Sequence, residues 1–91
     1  MVESYRELKV WNAGMDLAVM AYALTRSLPA DERFGLCSQI QRSAASIPAN
    51  IAEGYGRESR QEFIRFLRVA QGSLKELETH VLLARRVHPC V

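Results

Sequence analysis

An all-α fold, an antiparallel up-down bundle of long helices, is predicted by three features of this sequence. Apolar residues recur at three- and four-residue spacing through three long segments. No stretch shows strand-like alternation or a hairpin dipeptide. The connections, marked by Pro29 and by Gly54-Tyr55-Gly56, are short enough to make sequential helices antiparallel neighbours. With 91 residues, 48% hydrophobic and 24% charged, the chain has the balance of one folded domain spanning 1–91. A domain this small buries only about 60 to 65% of its unfolded surface, so association with copies of itself is expected.

The first helix is predicted over about 7–28, ended by Pro29, which makes its predecessor a poor helical residue. Leu8, Trp11, Met15, Ala18 and Tyr22 form one apolar seam, and Leu17, Ala21, Leu24 and Leu28 a second. A helix that merely coats a core needs one stripe. Two seams fit either a central helix or a helix that also meets another protomer.

The second helix is predicted over about 32–53, with Leu36, Ile40, Ala44, Ile47 and Ile51 in register. Its latter half, SAASIPANIA, is small in side-chain volume, so a neighbouring helix should approach closely. Pro48 removes one helical N–H and frees the Ala44 carbonyl, which predicts a kink, with Ser46 and Asn50 placed to satisfy the freed backbone.

The third helix, about 59–87, opens on Ser59-Arg60-Gln61-Glu62, which has the form of a capping box. Phe63, Leu67, Ala70, Leu74, Leu77, Val81 and Ala84 then step alternately by four and three, a heptad seam. At the corner before it, Glu53 and Arg57 or Arg60 each oppose the dipole of their own helix but complement one another. A Glu53 pair across the turn is therefore expected, with Gly54 and Gly56 supplying the positive φ angles of a tight reversal.

Gln39, Arg42-Ser43-Ala44, the run Ser46-Ile47-Pro48-Ala49-Asn50-Ile51-Ala52-Glu53-Gly54, Glu62-Phe63, Phe66-Leu67, Ala70, Gly72-Ser73 and Glu76-Leu77-Glu78 carry a resemblance. They resemble the bacterial four-helix bundle family encoded in intervening sequences of 23S ribosomal RNA genes. Leu8, Trp11, Leu28-Pro29, Glu32 and Phe34-Gly35-Leu36 match the N-terminal half of that pattern. The same family includes the accessory variability proteins of diversity-generating retroelements, which resemble basic, ring-shaped homopentamers that bind nucleic acid and a reverse transcriptase. The resemblance implies a four-helix bundle and a cytosolic homo-oligomer, with a pentamer as the arrangement in view. Family members continue into a fourth helix. Here three long helices precede His88-Pro89-Cys90-Val91, so the fourth is expected to be missing and its seam open.

Charge points the same way. Of 12 Lys/Arg, five precede Gly54 against six Asp/Glu, and seven follow it against four, so the basic excess is C-terminal. Arg57, Arg60, Arg65, Arg68 and Lys75 are the candidate nucleic-acid contacts, with Arg65, Arg68 and Lys75 expected on one face of the third helix. The alternative is a scaffold for another polypeptide with no direct nucleic-acid contact.

Catalysis finds little support. Glu76 and His80 are four apart rather than the three of a ferritin-like Glu-x-x-His pair, so neither metal nor cofactor is expected. Ser73 and His80 share a helix face but lie about 10 Å apart along the axis, and Ser43, Ser46 and Ser59 have no histidine in reach. No enzyme activity is expected; Glu53, Asn50 and Arg60 could join only in a cleft between copies. Cys37 and Cys90 have no metal or redox spacing, nothing resembles a signal peptide, and the longest apolar run, Leu17 to Leu24, is too short for a bilayer. A cytoplasmic protein with reduced thiols and no membrane partner is the expectation.

Overall fold

A computed structural model of the chain describes residues 4–90. Three α-helices make up the fold: α1 (Lys9–Thr25), α2 (Leu36–Gly56) and α3 (Arg60–Val87), with single 3₁₀ turns at Tyr5–Glu7 and Ala30–Glu32. No strand occurs among the described residues. The long axis of the molecule, 46 Å, is set by α3, whose 28 residues span about 42 Å.

Each boundary has a local cause. Before α1, Ser4 and Glu7 form a reciprocal capping box on the 3₁₀ turn, and Leu8 is extended. The chain is thus not yet α-helical at Glu7. Asn12 bridges the break, donating from Nδ2 to the carbonyls of Arg6 and Leu8, both at 2.9 Å. At the other end α1 stops at Thr25, three residues short of Leu28, and Arg26 to Leu28 close as turns ahead of Pro29.

The start of α2 differs from the sequence expectation by a full turn. Glu32 lies in the 3₁₀ turn, and its Oε1 accepts from the Leu36 N–H at 3.3 Å, so it caps α2 from outside. Gly35 makes that reach possible, since a Cβ there would stand 2.9 Å from Glu32 Oε1.

At its far end α2 continues through Gly54, Tyr55 and Gly56, and neither glycine has a positive φ. This corrects the expected glycine reversal. Arg57-Glu58-Ser59 makes the turn, with Glu58 at φ 59°. Gly54 serves close approach instead: a Cβ there would lie 2.5 Å from Phe66 Cβ on α3. On α3, Ser59 Oγ accepts from the Glu62 N–H at 3.4 Å, but the Glu62 carboxylate turns to Arg65, so only half of the predicted capping box forms.

The central helix is α2, which packs against both neighbours, while the backbones of α1 and α3 stay apart. Ile40 and Ile51 are fully buried, joined by Ala44, Ile47, Ala70, Leu77 and Ala84. The small residues let α3 in close enough for Ser46 Oγ to meet Ser73 Oγ at 2.7 Å. Asn50 Nδ2 completes this network by donating to the carbonyl and Oγ of Ser46, at 2.8 and 2.9 Å. The carbonyl Asn50 serves is therefore that of Ser46, not the one freed by Pro48. Pro48 is buried within an uninterrupted α2, where α1 crosses at Gly14.

Because the backbones of α1 and α3 stay apart, an apolar groove runs between them along α2. Val10, Leu17 and Met20 wall one side and Ile64, Leu74 and Leu82 the other. Leu74 belongs to the heptad seam yet is exposed, because it faces this groove. The described residues form three helices, so the four-helix arrangement implied by the resemblance is not completed by them.

Candidate nucleic-acid interface

The five predicted basic residues fall into two groups. The first surrounds Phe66. The Arg57 guanidinium carbon lies 5.3 Å from the Phe66 ring centroid and that of Arg65 lies 4.5 Å from it. Each guanidinium also has a carboxylate: Arg57 Nη2 donates to Glu53 Oε2 at 2.8 Å, and Arg65 donates through Nε and Nη2 to Glu62 at 3.1 and 3.0 Å. The Arg65 bond holds the Glu62 carboxyl below its ordinary value, and Glu62 in turn raises Arg65.

Arg57 is the C-terminal cap of α2, not the start of the third helix, and its pair with Glu53 is an (i, i+4) contact along one helix. That corrects the expectation of a bridge across the corner. A cation at a helix C-terminus is favourable, so Arg57 offsets the unfavourable placing of Glu53 from within the same turn.

The second group lies along α3. Arg60 is its first residue and Arg68 edges the apolar groove; among the described residues neither forms an ion pair. Lys75, seven residues beyond Arg68 and hence on the same face, reaches Glu78 at 3.4 Å with its side chain 81% exposed. Arg65 is held against Phe66 and by Glu62.

The motif residues lie mostly at contacts between helices. Ser46 and Asn50 face α3, Pro48 meets α1, Gly54 lies beneath Phe66, and Glu53 is on the surface. Among the described residues no hydrogen bond or ion pair joins Asn50, Glu53 and Arg60 to one another.

Two features escaped sequence reasoning. Phe66 gathers two arginines, a role that could be suspected only for Arg65, its neighbour in the chain. Glu32 Oε2 meets His88 Nε2 at 2.7 Å across 56 residues of sequence, a separation at which no local pattern speaks.

Taken together, a layer of three antiparallel helices, tightly packed at a serine- and alanine-rich segment and carrying a basic excess on the last helix, defines a small helix-bundle protein. The chain belongs to the 23S rRNA-intervening sequence protein family, whose model matches residues 6–90. Comparison with curated proteins gives no match. Among the described residues no helix is long and apolar enough to cross a membrane.

Proposed function

We propose that this protein is a non-enzymatic, oligomeric helix-bundle module of the cytoplasm that binds structured RNA or an RNA/DNA hybrid through α3. The observation that carries this reading is that Arg60 and Arg68 stand exposed with no carboxylate partner among the described residues, beside a loosely held Lys75. Arg57 and Arg65 extend the surface at the corner, where their carboxylates must be outcompeted by phosphate.

One copy of so small a patch binds weakly. Assembly of identical chains multiplies it through effective concentration, and a ring of five, as the resemblance implies, would do so strongly. The exposed apolar groove supports assembly. Affinity would come from counterion release, with little reading of bases.

The test is fluorescence anisotropy with a labelled RNA hairpin over a salt series. Arg60→Gln with Arg68→Gln is expected to weaken binding at least about tenfold at low salt and to flatten the slope of log K against log salt by roughly two. Unchanged affinity and slope would overturn the reading.

A protein scaffold is the second reading, favoured by the pairing of Arg57, Arg65 and Lys75 with carboxylates. A polypeptide partner, such as the reverse transcriptase the resemblance suggests, would then remain bound after nuclease treatment.

A further inference from the structure

A polar contact fastens the C-terminal end of α3. His88 is the C-cap of α3, its N–H donating to the Ala84 carbonyl at 2.8 Å, and its Nε2 meets Glu32 Oε2 at 2.7 Å. Both side chains are only 20% exposed. Glu32 is doubly engaged, since its other oxygen accepts from the Leu36 N–H that opens α2. One carboxylate thus joins the α1–α2 connection, the first turn of α2 and the last turn of α3.

The contact stands beside a cavity lined by Leu24, Leu28, Val81, Ala84, Arg85 and His88. Leu24 and Val81 also line the groove between α1 and α3, so the cavity adjoins one end of that groove. Of the elements facing His88, α1 contributes apolar Leu24 and Leu28, α2 the Leu36 N–H through Glu32, the connection Glu32 itself, and α3 the cation Arg85. Glu32 is therefore the anion set against the imidazole, and the Arg85 cation lines the same cavity.

We propose that Glu32 and His88 form a proton-operated clasp that fixes the end of α3 to the α1–α2 connection beside the adjoining end of the groove. It is engaged most strongly when the imidazole carries its second proton and the carboxylate is ionised. The His88 hydrogen bond, followed by the Leu36 bond, lowers the Glu32 pKa. A lowered carboxylate contributes stability above its unfolded value and loses it as pH falls through the folded one. Closure therefore weakens as acid protonates the Glu32 carboxylate, and a neutral imidazole keeps a weaker hydrogen bond than a charged one.

The test is an NMR titration of the full chain, which contains 2 histidines. Glu32→Gln keeps an acceptor for the Leu36 N–H but removes the charge, and is expected to move the His88 ring resonances at pH 5.5 while leaving those of His80 in place. His88 ring resonances that are identical in both proteins would overturn the clasp. A second measurement needs no change at Glu32: amide exchange over residues 84–88 in His88→Gln. At pH 5.5 these amides are expected to exchange about threefold faster or more than in the parent, with the difference shrinking by pH 8. A difference independent of pH would overturn the proton dependence.

Discussion

At Gly54 the local sequence and the fold ask different things of one residue. A glycine after Glu53, followed by another at Gly56, has the form of a helix stop, but both residues are helical. The distinction has a sign. In an open helical position Gly to Ala stabilises, by about 0.5–1 kcal/mol, and Gly56, with nothing within 4 Å of an added Cβ, should behave so. Gly54→Ala instead drives a methyl against Phe66 Cβ and should destabilise by about 1–3 kcal/mol. Denaturant melts of the two variants should shift in opposite directions; a Gly54→Ala variant as stable as the parent would remove the close-approach account. The same ambiguity hid the role of Arg57. Glu53 was legible as its partner from charge and spacing, but which helix owned Arg57 depended on where α2 ends, and α2 runs on to Gly56 with Gly54 packed under Phe66.

Among the elements, the α2–α3 contact is the part most legible in the sequence. The small side chains of SAASIPANIA and the heptad seam of α3 both predict a tight antiparallel pair, and Ser43, Ala44, Ala70 and Ser73 are buried there. Regular spacing reports burial well because it repeats over many residues. Single-residue geometry leaves no such trace: Glu32 resembles an ordinary first-turn acid, and only folding shows it capping α2 from the preceding turn while holding His88. Within the contact, Ser73 joins Ser46 and Asn50 in one hydrogen-bonded chain. Ser73→Ala removes one bond while Asn50 still serves Ser46, so a loss of about 1 kcal/mol is expected. A double-mutant cycle with Asn50→Ala should show coupling, and strictly additive losses would mean that the chain does not act as a network.

For the whole molecule the decisive feature is an unpartnered apolar surface on a chain of 10.3 kDa. Met20 is 67% exposed and Leu82 59% exposed on facing walls of the groove. Contiguous apolar surface of this kind marks an interaction site, and covering it with copies of the chain would also gather the arginines of α3. The candidate basic residues were all named from the sequence. Their division was not, because the partners Glu53, Glu62 and Phe66 select Arg57 and Arg65 only once the corner has formed. Light-scattering mass across a micromolar concentration series tests the central claim directly. The account predicts a mass that is a whole multiple of 10.3 kDa and holds on dilution, whereas a particle of 10.3 kDa throughout the series would contradict it.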